Sequence, residues 1–290
     1  MTDTHQTAPT QFVEANGIRF AYRRFGKSGG VPLVFNQHYT GTLDHWDPAV
    51  TDGLAQGREV ILFDNAGVAA SSGETPSSIA EMGANAIHFI RALGLSQVDV
   101  LGFSIGGMVA QEIALQAPQM VRRLILVGTG PRGMDTTGSR TNEIFSATYE
   151  QAEDLWLAVH FSPSAQSQAA GRAFLRRKWL RQDRDPDVSA QTAAAQREAI
   201  GKNLAQSEGV MDYLKTLRMP TLIVQGSHDE IAPTVNSYTM QQLIPNAQLI
   251  VYPDSNHGSF YQYPQLFVAQ ARQFLDWTIA GDAAFPAVSA

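Results

Sequence analysis

Residues 98–115, running from Val98 through Gly102-Phe103-Ser104-Ile105-Gly106-Gly107 to Leu115, change their hydrophobic period in the middle. Val98 to Phe103 is a short apolar run of the length and branching that make a buried strand. Met108, Val109, Glu112, Ile113 and Leu115 then set a mostly apolar surface at helical spacing. Between the two lies G-x-S-x-G. A strand that turns this sharply into a helix leaves its corner residue strained and exposed at the strand's C-terminal end. Glycines two places before and after that corner remove side chains that would collide where strand and helix cross. The new helix aims its free N–H groups and positive dipole end at charge developing near the serine. Ser104 is therefore a candidate nucleophile and the Ile105 N–H a candidate oxyanion donor.

The rest of the chain supplies a setting for such a corner. Pro32 to Gln37, Arg58 to Asp64, Arg123 to Gly128, Pro220 to Gly226 and Ala247 to Tyr252 read as further buried strands. Residues 11–25 read as two strands around Asn16-Gly17, a strong hairpin signal. Ile79, Met82, Ile87, Ile90 and Leu93 line one face of a helix over 75–93, with Gly94 as its C-cap. A last helix runs from about Pro264 to Ile279. Buried strands alternating with amphipathic helices predict an α/β fold, its parallel strands joined by right-handed crossovers.

That alternation stops after Gly130. From about Met134 to Leu217 there are helix signals only: Asn142 to His160, a helix from Pro163 with Ser162 as N-cap, and Val188 to Gln206. They predict an inserted helical lid. Arg172, Arg176, Arg177, Lys178, Arg181 and Arg184 fall on a helix over 172–184, where a solvated face is the ordinary meaning of such a charge run.

With 44% hydrophobic residues in 290, the chain can fill the core of one large α/β domain. A net charge of −6 argues against nucleic acid or an anionic membrane as a main partner. There is no cysteine, so thiol nucleophiles, disulfides and thiolate metal sites are excluded. The seven histidines are scattered without paired spacing, and the Gly-rich turn has no following lysine, so neither a metal nor a phosphate-bearing cofactor is expected. The first ten residues are polar and no apolar run reaches spanning length, which predicts a cytoplasmic protein. Oligomeric state is not readable from the sequence.

A serine hydroxyl is a poor nucleophile at neutral pH and needs a base. His257, in Asp254-Ser-Asn-His-Gly-Ser-Phe, directly follows the last apolar strand and so sits on the same strand-end side as Ser104. His88, between Ile87 and Phe89 in a helix, reads as structural. A carboxylate must in turn hold the histidine tautomer. Asp229 follows the strand Leu222 to Gln225 and is the candidate. Its rivals are Asp254, three residues before His257, the neighbouring Glu230, and Asp64, which reads as pinning the loop after its own strand.

With the order Ser104, Asp229, His257, the chain resembles the α/β-hydrolase fold enzymes over nearly its full length. Gly102 to Gly106 matches the nucleophile elbow, Gly226-Ser-His-Asp229-Glu-Ile-Ala-Pro233 the acid loop, and Asn256-His257-Gly258 the histidine loop. The branch it is most similar to holds esterases, lactonases and cofactor-free haloperoxidases (perhydrolases). The resemblance implies a core domain over 11–132 and 218–280 and a cap over 133–217 between the sixth and seventh strands, while the small, polar or Pro-containing ends at 1–10 and 281–290 are expected to be flexible. It also implies a mostly apolar pocket over Ser104.

Two departures stand out. That branch carries His-Gly followed by an aromatic after the third strand, and the residue after the glycine gives the second oxyanion N–H. Alignment on Trp46 puts Gln37 and His38 at the first two places and Tyr39 at the donor position. His38 therefore stands where glycine is customary, either reaching the pocket as a substrate contact or only packing. Asn65-Ala66 replaces the usual residue-plus-arginine, a change in a structural loop.

The resemblance implies a serine hydrolase that cleaves a small to medium carboxylic ester or lactone through an acyl-enzyme, without cofactor. Dehalogenases and epoxide hydrolases of this fold use aspartate at the elbow. Carbon–carbon bond hydrolases and perhydrolases share the serine triad, although the former often carry tryptophan after the histidine, where Gly258-Ser259-Phe260 stands here. Ligand receptors and cofactor-free oxygenases of the same fold form the alternative of another class. Single-turnover acylation marks the receptor and oxygen uptake the oxygenase.

Overall fold

The computed structural model describes residues 3–206 and 210–277. In chain order its regular elements open with strands β1 (Gln11–Ala15), β2 (Ile18–Gly26) and β3 (Leu33–Asn36), helix α1 (Pro48–Ala55) and strand β4 (Glu59–Phe63). Then come α2 (Ile79–Ala92), β5 (Val98–Phe103), α3 (Ile105–Gln116) and β6 (Val121–Val127). Four helices follow, α4 (Thr141–Ser146), α5 (Ala152–His160), α6 (Ala165–Lys178) and α7 (Ala190–Leu204). The chain ends through β7 (Thr221–Gly226), α8 (Val235–Leu243), β8 (Ala247–Tyr252), α9 (Ser259–Gln262) and α10 (Pro264–Asp276).

The eight strands form one sheet in the order β1-β2-β4-β3-β5-β6-β7-β8. β2 runs antiparallel to β1 and β4, and the other pairs are parallel. The Asn16-Gly17 turn joins β1 to β2 with φ of 51° and 77°, the left-handed pair a tight hairpin needs. Strand residues alternate between two cores. Leu33, Phe35, Leu62, Leu101, Phe103, Ile125 and Val224 face α1 and α10. Val34, Ile61, Val100, Leu124, Leu126 and Ile223 face α2 and α3. The chain leaves β3 towards β4 on one side, while β5 continues to β6 on the other. The crevice between the ends of β3 and β5 is thus the switch point where open α/β sheets place ligands.

Several boundaries differ from those predicted, each for a local reason. α2 starts at Ile79 because Ser78 caps the Glu81 N–H, while the Thr75 hydroxyl donates to the Ala66 carbonyl. The helix expected from Asn142 to His160 is broken at residues 147–151, where the Asp154 carboxylate accepts the Gln151 N–H and restarts it as α5. Ser164, rather than Ser162, caps α6, since the Ser162 hydroxyl donates to Asp254. Ile279 lies outside the described residues.

The basic run is a solvated helix face only in part: Arg172 and Arg176 are exposed on α6, while the rest turns inward. The helix stops at Lys178, and the chain folds Arg181 back inside. Arg177 makes a two-point pair with Asp47 at 2.6 and 2.8 Å. Buried Arg23 on β2 meets Asp44 at 2.5 Å and Asp185 at 3.6 Å. Arg181 lies 3.8 Å from Asp44 and donates to the His5 and Gln6 carbonyls. Within residues 3–10, His5 and Ala8 are buried, and the His5 N–H donates to Asp52 at 2.7 Å. The expected flexible segment at 281–290 lies outside the described residues. Among those described, no helix is long and apolar enough to cross a membrane.

Removing one member of a buried ion cluster strands the others. Arg23→Met leaves Asp44 and Asp185 facing each other in the interior and is expected to lower unfolding free energy by about 3–5 kcal/mol, read from the urea midpoint. Lys178 gives a pH test. Its Nζ lies 3.8 Å over the Trp156 ring and 4.0 Å over Trp179, and burial, helped by Arg184, pushes its ammonium down to about 7. An unfolded lysine keeps its proton up to the ordinary lysine range. Between the two values the unfolded chain binds more protons, so stability rises with pH across that window. Chemical denaturation at pH 7 and pH 9 should show Lys178→Met reducing this rise relative to the wild type.

Candidate active site

Ser104 sits at the corner between β5 and α3 with φ 58° and ψ −123°, a left-handed backbone that a non-glycine residue adopts only under constraint. The corner is held by Ser104 N–H to the Val127 carbonyl at 3.0 Å and Gly107 N–H to the Ser104 carbonyl at 2.9 Å. Two glycines make room for it. A Cβ on Gly102 would lie 2.2 Å from the Gly106 carbonyl oxygen, and one on Gly106 would lie 2.1 Å from that of Asn36. Side chains at either place would force β3, β5 and α3 apart.

The loops after β7 and β8 bring the partners. The Ser104 hydroxyl lies 2.9 Å from His257 Nε2, and His257 Nδ1 lies 2.9 Å from Asp229 Oδ2. A carboxylate only accepts, so the imidazole proton sits on Nδ1 and Nε2 offers its lone pair to the serine O–H. Asp229 is buried, and its other contacts fix its orientation. Oδ1 accepts the Ile231 and Ala232 N–H groups, both at 2.8 Å, and Oδ2 also accepts Gln225 Nε2 at 3.0 Å. The Asn256 side-chain oxygen accepts both the His257 N–H and the Glu230 N–H, which ties the two loops together. The Phe103 ring packs against the His257 ring with centroids 5.0 Å apart.

The rival acids have other partners. Asp254 accepts the Ser162 and Ser164 hydroxyls at 2.6 and 2.5 Å, which hold its carboxyl below the usual range and fasten the start of α6. Glu230 pairs with Arg140 at 3.0 Å, ahead of α4. Asp64 accepts the Leu43 and Ala70 N–H groups and pins the loop after β4. Burial raises its carboxyl well above the usual range. His88 is half-buried on α2.

Ile105 opens α3, so its N–H has no acceptor within the helix. Tyr39 lies in the turn after β3, closed by Gly41 N–H to the His38 carbonyl at 2.9 Å. Among the described residues neither the Tyr39 N–H nor the Ile105 N–H donates to a protein group. Both residues line a cavity of about 820 Å³ together with Ser104, His257 and His38. Its remaining wall is mostly apolar, including Met108, Phe145, Trp156 and Ile200, with Arg197 as the one charged residue among those described. Phe161 and Trp179, also on the inserted segment, lie elsewhere: Phe161 packs on Phe174 in the core, and Trp179 is exposed over Lys178.

His38 is buried against Phe103, Trp156 and His160. Its Nδ1 lies 2.8 Å from the Tyr39 carbonyl oxygen. Sequence reasoning missed His160, the last residue of α5, which lines the same cavity. Its only sequence signal was a histidine closing a helix that also carries Trp156. Among the described residues no group of three His, Asp or Glu side chains could hold a metal ion.

Comparison with known proteins agrees with this architecture. A family profile described as alpha/beta hydrolase fold matches residues 31–264. The solved structure of an alpha/beta hydrolase fold protein from Chitinophaga pinensis superposes with a TM-score of 0.90 at 44% identity, covering 95% of this chain and 100% of that one. A pimeloyl-(acyl-carrier protein) methyl ester esterase from Nitrosomonas europaea is 32% identical over 180 residues, 59% of this chain and 68% of its own length. A non-heme haloperoxidase from Rhodococcus erythropolis is 28% identical over 85% of this chain and 92% of its own. On its profile, its sheet and these relatives, the chain belongs to the α/β-hydrolase fold family.

Proposed function

We propose that the protein is a serine esterase acting on small to medium carboxylic esters or lactones. The observation that carries this reading is the unbroken Ser104–His257–Asp229 hydrogen-bond chain at the wall of the large cavity. In this reading Ser104 Oγ attacks the ester carbonyl as its proton passes to His257 Nε2. Asp229 holds the imidazole and stabilises the imidazolium that results. The Tyr39 and Ile105 N–H groups receive the oxyanion, where two donors already aimed at developing charge need no reorganisation. His257 then protonates the leaving alcohol, activates water, and the acyl-enzyme is released as the acid.

Residues 133–217 act as a cap in this scheme, closing a mostly apolar chamber over the serine. The similarity to a methyl ester esterase favours ester cleavage. Likeness to a non-heme haloperoxidase supports perhydrolysis as a secondary reaction, in which peroxide replaces water at deacylation.

Hydrolysis of p-nitrophenyl esters from acetate to decanoate tests the reading, with the chain-length optimum sizing the chamber. Ser104→Ala and Asp229→Asn are each expected to lower kcat by about 10⁴-fold or more. Wild-type turnover retained by Ser104→Ala on every ester would sink the proposal.

A further inference from the structure

Two imidazoles beside Ser104 have no task in acyl transfer. His38 occupies a place where the resembling enzymes carry glycine, and it is 7% exposed. Its Nδ1 faces a carbonyl oxygen, which only accepts, so the proton sits on Nδ1 and Nε2 carries the lone pair. That Nε2 is buried without a hydrogen-bond partner among the described residues. His160 shares this tautomer. It is 5% exposed, and its Nδ1 lies 3.0 Å from the Trp156 carbonyl oxygen, which leaves its Nε2 as an acceptor too. The ring centroids of the two are 5.5 Å apart, and both residues line the cavity that holds Ser104 and His257.

Their surroundings keep both neutral. Aromatic rings pack round them: Trp156 stacks on His160 at 4.9 Å and meets His38 edge-on at 5.3 Å. Burial pushes the His38 imidazole down to about 3 and that of His160 well below its ordinary value, and each is further opposed by the other histidines and Lys178. Neighbouring His45 shows the contrast, because its Nδ1 accepts the Thr42 N–H at 3.1 Å. A desolvated acceptor without a donor is unfavourable, and a ligand that brings the donor relieves it. Proximity sets where on the ligand that donor lies. Tyr39, whose N–H is assigned to the oxyanion, follows His38 directly, at a Cα spacing of about 3.8 Å.

We propose that His38 and His160 form an acceptor subsite for a hydroxyl or N–H group that the substrate carries a few bonds from its scissile carbonyl. The preferred substrates are then hydroxylated or amide-bearing esters and lactones rather than plain acyl esters. This rests on the cavity being the substrate chamber of the esterase reading. A site built around buried hydrogen-bonding groups discriminates strongly against analogues that lack the partner, whereas an apolar wall does not.

Methyl butyrate, methyl 2-hydroxybutyrate and methyl 3-hydroxybutyrate make a matched probe set. Acid release by the wild type measures kcat/KM, and NMR titration of Ser104→Ala measures binding without turnover. At least one hydroxylated ester is expected to be favoured about tenfold or more over butyrate, and that preference should fall at least about fivefold in His38→Phe and His160→Phe. A preference under tenfold for both hydroxylated esters in the two measurements overturns the subsite, as does a preference that survives both variants. The wild-type and Ser104→Ala arms stand even if a phenylalanine variant fails to fold. Binding that favours the hydroxylated ester while the wild type cleaves none of the three would refute the esterase reading and leave the subsite standing.

Discussion

The close approach of the β3 and β5 ends is the constraint on which the site depends. Asn36 and Gly102 are register partners at the last rungs of these strands, so the turn after β3 and the serine corner after β5 start side by side. The corner must then reverse into α3 within one residue, and Gly106 presses against the Asn36 carbonyl with no side chain between. The strain at Ser104 is sustained by backbone hydrogen bonds to β6 and into the first turn of α3. From that single crossing follow the exposed hydroxyl, the first free N–H of α3, and the neighbouring free N–H of Tyr39.

Elsewhere the core and the helical insertion are joined through charge. Arg23, Asp44, Asp185, Arg177, Asp47 and Arg181 connect β2, the loop before α1, the end of α6 and the segment after it. Such pairs give little net stability over apolar packing, yet they are costly to break singly. They therefore fix where the insertion sits rather than how strongly the whole chain folds. Residues 3–10 are caught in the same cluster through carbonyls that accept from Arg181.

What could be read from the sequence follows physical range. Strand runs and the elbow are local patterns, and β3 through β8 lie within a few residues of where periodicity put them. Asp229 and His257 were accessible because parallel strands gather their C-terminal ends on one side, which turns chain order into spatial proximity. The basic run misled in part because six cations in thirteen residues resemble a solvated face, and only the fold supplies Asp47 and Asp44 to receive Arg177 and Arg181. At the polar start, nothing local announces that Arg181 and Asp52 will hold His5 and Gln6. His160 was invisible for a third reason. Its meaning depends on His38 across the cavity, more than a hundred residues earlier in the chain.

The cap is fastened along two edges. At one, the His160 carbonyl accepts the Gly258 N–H, Asn256 donates to the Ala158 carbonyl, and Ser162 and Ser164 donate to Asp254. At the other, Gln196 accepts the Thr40 N–H, while Thr192 joins Thr75 and the Gly67 carbonyl. If the cavity takes substrate as proposed, a chamber braced from both sides is a mould set before the ligand arrives. The ordering of its walls is accomplished during folding, so little conformational entropy is left to lose on association. Guests that differ by one group will then differ in affinity and residence time rather than in the shape they impose.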